Sequence, residues 1–558
     1  MPTGRRSSSR ASSSRASSSR ASSSRPGSSR PGSSRPGNSR TSASATSGVS
    51  TFKGQERALR ADRLGTAGLL LSVLAAGAPL LAVAGVMPTA FAVTGVVGRP
   101  LLFVLVGAVL VLFSVGYAEM SRHVHNAGAF YAYIARGLGP TAGVGASLVA
   151  LVSYSALQIG VYGIFGFHVS GLLAACFDTE LAWWIPAFAA VVVIGALGSL
   201  KTGLNTKVLG VLLVVEVVLV LTFDVATVGD PAGGGLPLPA FHPDTLAGAG
   251  IGAALCFCVA AFTGFEQAPV YAEETSRPQI VVSRTMFLAV GSVAVFLALS
   301  SWAMTVAAGS SGLVGAARED GPTLLFTLTE ARLGTAFTDV LHVLFLTSVF
   351  AGLLSLHNVV ARYAFALGRE RLLPAAFGRA NDSAAAPATG SLLQSVVSAA
   401  AVLAFALTDD KPAGDPTVPV LRLFTWTVNV GALGVTVLMA MACLAVIVFF
   451  VRRGAARSQA PRLVAAGLAG LALTGIAVWT VKDFDVLVGT GPGSLLSRLL
   501  PGIIGLALAG GTLYGLVLRF ARPEVHARVG LGNEAFQLEK AAESEKAAEP
   551  ERGSERAA

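Results

Sequence analysis

The sequence predicts an all-α polytopic membrane protein of about twelve spanning helices. Three observations carry that prediction: a composition too apolar for a soluble domain, apolar runs of spanning length, and basic residues gathered in every second connection. Of 558 residues, 53% are hydrophobic and 13% charged, with a mean hydropathy of +0.66. An average soluble domain carries about 25% charged residues. A hydrocarbon core of about 30 Å takes about 20 apolar residues per helix. Runs of that length recur from Thr66 to Phe520, without the polar face that a helix of a large soluble protein keeps.

In chain order the expected spans are 66–90, 99–121, 142–175, 182–200, 207–228, 248–271, 285–308, 336–364, 388–407, 422–450, 461–480 and 495–520. Basic residues flanking spans mark the cytoplasmic side. Lys53, Arg57, Arg60 and Arg63 precede the first span, and Arg122 and Arg136 follow the second. Lys201 and Lys207 follow the fourth, Arg277 and Arg284 the sixth, and Arg362, Arg369, Arg371 and Arg379 the eighth. Arg452, Arg453, Arg457 and Arg462 follow the tenth, and Arg519, Arg522 and Arg528 close the last. The intervening connections lean acidic, with Asp178 and Glu180, Asp230 and Asp244, Asp409, Asp410 and Asp415, and Asp483 and Asp485, while the Arg318-Glu-Asp320 connection is mixed. An even number of spans with both termini in the cytoplasm, in the plasma membrane, fits this alternation.

The chain divides into a Ser/Arg-rich tail (1–60), a transmembrane domain (61–522) and a charged C-terminal tail (523–558). Arg10, Arg15, Arg20, Arg25, Arg30, Arg35 and Arg40 repeat every five residues with no apolar face to bury, so disorder is expected. Such a tail suits attraction to anionic lipid, phosphorylation or nonspecific nucleic-acid contact, against which plain solvation is the expectation, with no nucleic-acid partner. Cys176, Cys256, Cys258 and Cys443 lie in or beside apolar spans and read as small apolar residues rather than a disulfide framework. Cys256 and Cys258, two apart on a helix, point to different faces and are no metal pair. No metal or cofactor is expected. The chain lacks a His-Glu-x-x-His cluster, a Gly-x-Ser-x-Gly elbow and a Walker loop, which argues against an enzyme or an ATP-driven pump.

Two spans carry helix breakers. The first reads Ser72-Val-Leu-Ala-Ala-Gly-Ala-Pro79, and the sixth reads Phe262-Thr-Gly-Phe-Glu-Gln-Ala-Pro269. Proline removes a backbone donor, and in lipid freed backbone groups are tolerated only against protein or a water-filled cavity. Paired interruptions five helices apart point to two inverted five-helix repeats with a binding site between them. Half-helix N-termini attract an anionic group and freed carbonyls a cationic one. An α-amino acid has both. The expected substrate contacts are Ser72, Ala76, Gly77, Ala78, Thr263 and Gly264 at the breaks, with Gln158 from helix three, where Tyr154, Gln158 and Tyr162 recur every four residues. Glu216 and Glu266 are ionisable residues at membrane depth, which normally face a cavity or partner. Either is a candidate proton carrier or a ligand for a cationic substrate. Trp426 and Asn429 of helix ten are placed to close the pocket or to pack. Glu273, Glu274 and Arg277, with Glu119 and Arg122, are candidates for gating ion pairs. His342 and His357 read as interior histidines, and His123 and His125 as loop residues.

The sequence resembles the amino acid–polyamine–organocation permeases over about 460 residues, from Thr66 to about Arg522. Four segments carry the resemblance: Ala75-Ala-Gly-Ala-Pro79; Gly116-Tyr-Ala-Glu-Met-Ser-Arg122 with Asn126-Ala-Gly-Ala-Phe-Tyr-Ala-Tyr133 and Gly137-Leu-Gly-Pro140; Phe262-Thr-Gly-Phe-Glu266 with Ala272-Glu-Glu274 and Pro278; and Asn358, Arg362 and Gly368-Arg369 before Leu372-Leu-Pro374. The resemblance implies the inverted-repeat fold of sodium-coupled amine transporters (the LeuT-like fold). It also implies alternating-access transport of amino acids or amines, by proton-coupled symport or exchange, and Phe262 as an aromatic lid. Many members carry Gly-Ser/Thr-Gly in helix one, whereas this chain has Ala76-Gly77-Ala78, which leaves room for amines lacking a carboxylate. A polyamine or amine permease and a non-transporting sensor are the alternatives.

Overall fold

The computed structural model describes residues 65–124, 128, 130–199, 206–232, 234–246, 250–275, 278–378 and 387–532. The Ser/Arg-rich tail and residues 533–558 lie outside them.

Eleven helices among the described residues are long and apolar enough to cross a membrane, and the shorter Trp184–Ser199 makes a twelfth. They are α1 (Thr66–Thr94), α2 (Arg99–Ser121), α3 (Pro140–Phe177), α4 (Trp184–Ser199), α5 (Thr206–Gly229) and α6 (Ile251–Phe262, continued by a 3₁₀ segment, Phe265–Glu274). The second half holds α7 (Pro278–Ala308), α8 (Thr335–Arg369), α9 (Ala388–Ala406), α10 (Thr417–Arg452), α11 (Ala460–Lys482) and α12 (Leu495–Ala521). A short helix, Phe130–Leu138, joins α2 to α3, and Leu313–Asp320 and Leu324–Leu333 lie between α7 and α8. Twelve crossings return the chain to the face where α1 begins, the basic face of the sequence pattern.

Helices five apart in the chain pack together: α2 on α7, α3 on α8, α4 on α9, and α1 on the 3₁₀ continuation of α6. That pairing is what two interleaved five-helix repeats produce. It yields one group built from α1, α2, α6 and α7, and a second from α3, α4, α8 and α9. α5 bridges them, packing against α1, α7 and α8, and α10 and α11 close the opposite flank. Exposed leucines and valines on α5, α9, α11 and α12 form the apolar outer surface a bilayer requires.

The described residues after α12 pack back against the helices. Helix Pro523–Arg528 packs beside α3, with His526 Nε2 2.9 Å from Thr141 Oγ1. The N–H groups of Gly530 and Gly532 donate to the two oxygens of buried Glu370 at 3.1 and 3.0 Å.

Candidate site at the interrupted helices

The break in α1 falls one residue before its proline. Ala78 adopts φ 41°, ψ 70°, a left-handed conformation uncommon for residues other than glycine, and Pro79 cannot donate to the preceding turn. The helix then resumes through a widened π turn, Ala82–Val86. In α6 the regular helix ends at Phe262; Thr263 is extended (φ −55°, ψ 133°) and Gly264 has φ 127°. Pro269 keeps the continuation irregular. Both interruptions thus fall where the breakers predict them.

The two interruptions touch. A Cβ added to Gly264 would lie 2.8 Å from Gly77 Cα and 2.9 Å from Gly77 N, and one added to Gly77 would meet the Thr263 carbonyl at 3.3 Å. On the other side of the α1 break, Gly352 of α8 approaches Ala78 closely enough that an added Cβ would be 3.1 Å from the alanine methyl. Only glycine permits this approach of backbone to backbone together with the φ of residue 264.

Glu266 secures the break. It is 1% exposed; one carboxylate oxygen accepts the Gly264 N–H at 2.7 Å and the other the Tyr154 hydroxyl of α3 at 2.9 Å. The chain's own carboxylate therefore takes a freed amide of α6 and ties it to the other helix group. Toward the basic face an aromatic floor closes beneath it. Phe113 meets Phe265 edge-on (6.0 Å) and stacks on Tyr117 (4.8 Å), and Tyr117 contacts Phe130 and Tyr133. Tyr154 contacts Tyr363 of α8 at 5.7 Å. Beside the breaks runs a narrow, largely apolar cleft lined by Val73, Leu74, Gly77 and Pro79, by Ala261, Phe262, Thr263 and Phe265, and by Ala289, Val290 and Val293 of α7.

Glu216 lies on the far side of α1. Its carboxylate accepts the Ser348 hydroxyl at 2.8 Å and borders a narrow cleft lined by Ala75, Leu212, Leu213, Thr347, Ser348 and Ala351. It is thus placed between α5, the turn of α1 preceding the break, and α8.

The other sequence-based candidates divide. Ala76, Gly77, Ala78, Thr263 and Gly264 are at the breaks. Phe262 is 3% exposed, contacts Phe103 of α2 (ring centroids 6.2 Å) and borders the cleft. Ser72 is half-buried one turn earlier, its hydroxyl donating to Gly68 O. Gln158 turns away from the breaks into a polar network. Its amide nitrogen reaches Tyr162 Oη (3.0 Å) and His357 Nδ1 (3.2 Å), and its carbonyl accepts from Gln394 (2.8 Å). His357 Nε2 meets Ser391 Oγ at 2.7 Å, so this histidine is a satisfied interior group, as expected. Trp426 packs on Phe405 of α9 (6.0 Å, edge-on), whereas Asn429 is buried and its carbonyl contacts the Cys256 thiol of α6. Glu119 pairs with Arg122 (3.2 Å) and also with Arg462 of α11 (3.5 Å). The side chains of Glu273 and Glu274, and all of Arg277 and His125, lie outside the described residues. One buried acid within a span is not among these candidates: Asp224 of α5 is 7% exposed and accepts the Ser300 hydroxyl at 2.9 Å.

With this geometry in place, comparison with known proteins is decisive for the family. The family model described as amino acid permease matches residues 66–491. The chain belongs to the amino acid permease family. Three solved structures of a manganese transporter from Eremococcus coleocola align with this permease at 14% identity. One, in complex with an aromatic bis-isothiourea substituted compound, covers 86% of this chain and 99% of its own, with a TM-score of 0.52. Two point variants of the same transporter cover 82% and 95%, with a TM-score of 0.51. At that identity the likeness shows the fold, the inverted-repeat LeuT-like architecture of the superfamily's transporters. A search of curated proteins finds no match. The permease is therefore a multi-pass membrane transporter with its two interrupted helices in mutual contact.

Proposed function

We propose that this permease is a secondary active transporter that moves amino acids across the plasma membrane by alternating access, driven by protons in symport or by exchange. The basic face is assigned to the cytoplasm, with both termini there. The observation that carries the reading is the meeting of the two breaks at Gly77 and Gly264, with Glu266 bridging them to α3. Irregular backbone inside a bilayer is retained where it serves a ligand. Separation of the α1–α6 contact from the α3–α8 group would open the site, and the aromatic floor under Glu266 would form the inner barrier. Glu216, between α1 and α8, is the group through which protonation would reach the break.

A second reading, an amine or polyamine permease, has its own support. Glu266 already fills the Gly264 amide, and the Ala76-Gly77-Ala78 turn supplies no hydroxyl. That arrangement favours the cationic end of a substrate over its carboxylate. The manganese carried by the structural relatives finds less support: among the described residues no group of three or more His, Cys, Asp or Glu side chains is placed to hold a metal.

Thermal unfolding of the purified protein with single amino acids and with their decarboxylated amines separates the two readings. A ligand at one hundred times its dissociation constant stabilises by about 2.7 kcal/mol. Stabilisation by amino acids alone supports the first reading and by amines alone the second. If neither class stabilises, the substrate assignment is overturned.

A further inference from the structure

We propose that Asp224 is a second reversible proton-binding carboxyl of this permease, a stop on α5 between the acidic face and Glu216. The inference deepens the proton-driven reading above and rests on it for its role in transport. α5 turns one stripe inward: Leu213, Glu216, Val220, Phe223, Asp224 and Thr227 are buried, while Val214, Val218 and Val225 are exposed. Both acids of the helix lie on that stripe. Each receives one serine hydroxyl, Glu216 from Ser348 of α8 and Asp224 from Ser300 of α7. The second oxygen of Asp224 has no hydrogen-bond partner, and neither has the hydroxyl of Thr227 one turn along.

Among the described residues no cation compensates this carboxylate. α1 carries no ionisable residue, and that of α7, Arg284, is at its basic end. On the helix Leu324–Leu333, Glu330 is exposed and Arg332 donates to the carbonyls of Ala307 and Leu328. On α8, Asp339 is exposed, His342 stacks on Phe326 and His357 belongs to the α3–α9 network; Arg362 and Arg369 lie toward its basic end. An ionised carboxylate in such surroundings is expensive, and ionisable groups within spans mark ion or proton paths. A proton on the free oxygen converts it from an unmatched acceptor to a donor. Loading forms one O–H bond on Asp224 as a water-borne hydronium gives up its proton, and unloading reverses that step. Asp224 lies five residues, about 7.5 Å, inside the end of α5, and Glu216 about 12 Å deeper by the helical rise. Asp224 therefore divides the path from the acidic face to Glu216 into two steps.

The test is pH-difference infrared spectroscopy of the full-length protein in liposomes without substrate, comparing wild type with Asp224→Asn, Asp224→Glu and Glu216→Gln. Two titrating buried-carboxyl bands are expected. Asp224→Asn should remove one and keep the band that Glu216→Gln removes, and Asp224→Glu should shift its band rather than delete it. Identical titrating bands in wild type and Asp224→Asn would overturn the assignment. Uptake of pooled labelled amino acids and amines under a pH gradient is measured in parallel. A titrating Asp224 band with no gradient-driven uptake keeps the proton site and rejects proton-driven transport; gradient-driven uptake without that band does the reverse.

Discussion

Replacing Gly264 with alanine would place a methyl group inside the contact between the two interrupted helices. The added carbon would lie 2.8 Å from Gly77 Cα and 2.9 Å from Gly77 N, backbone atoms that cannot rotate aside. The residue would also be held at φ 127°. Strained backbone of this kind costs about 1–3 kcal/mol before any clash is counted. The cost falls on the state in which the breaks touch, so that state should lose about 5–150-fold in population. A transporter that passes through it in every cycle should slow accordingly. Gly77→Ala meets only the Thr263 carbonyl at 3.3 Å and should cost less. Gly291→Ala on α7, with no atom within 4 Å of the added carbon, is the control and should be neutral. Initial uptake rates in proteoliposomes, normalised to monodisperse protein, rank the three. Uptake by Gly264→Ala equal to that of Gly291→Ala would refute the view that the breaks close on one another during transport.

Three further outcomes are expected. Glu216→Gln should abolish pH-driven uptake while sparing exchange with preloaded substrate; unchanged pH-driven uptake would exclude Glu216 as the coupling group. Tyr154→Phe removes one of the donors to Glu266 and should cost about 1.5–3 kcal/mol if the carboxyl is ionised, read as a lower melting temperature and weaker substrate binding. Partial burial and nearby Arg519 hold the pKa of His526 below the usual histidine value, so folding favours its neutral form. Docking of the segment after α12 is then intact above about pH 6.5 and weakens as pH falls through that range. Amide exchange at Gly530 and Gly532, corrected for intrinsic rates, should show the loosening, and His526→Gln should remove its pH dependence.

Much of this architecture is legible in the sequence because lipid imposes it. Spanning length and hydropathy locate all twelve helices, including the short α4. Glycine and proline locate both interruptions, since little else breaks a helix inside an apolar run. Side-chain direction is harder to read. Tyr154, Gln158 and Tyr162 recur every four residues, but each step turns about 40° beyond a full revolution of a helix with 3.6 residues per turn. Across two steps the face rotates by about 80°. Tyr154 consequently reaches Glu266, whereas Gln158 and Tyr162 turn into the network with α8 and α9. Asp224 carries the same signal as Glu216, an acid in an apolar run. It lies five residues from the end of α5, where a charge can equally well reach water, and only the inward turn of the stripe distinguishes the two cases. The docking of Gly530 and Gly532 on Glu370 had no sequence signal, because it uses backbone N–H groups that every residue but proline carries.

The most direct measurement is uptake of pooled radiolabelled amino acids and amines into proteoliposomes under an inward pH gradient, with the gradient then collapsed. The mechanism proposed for this permease predicts uptake of one pool that disappears with the gradient, or exchange when that pool is preloaded inside. No uptake and no exchange by folded protein in sealed vesicles would contradict it.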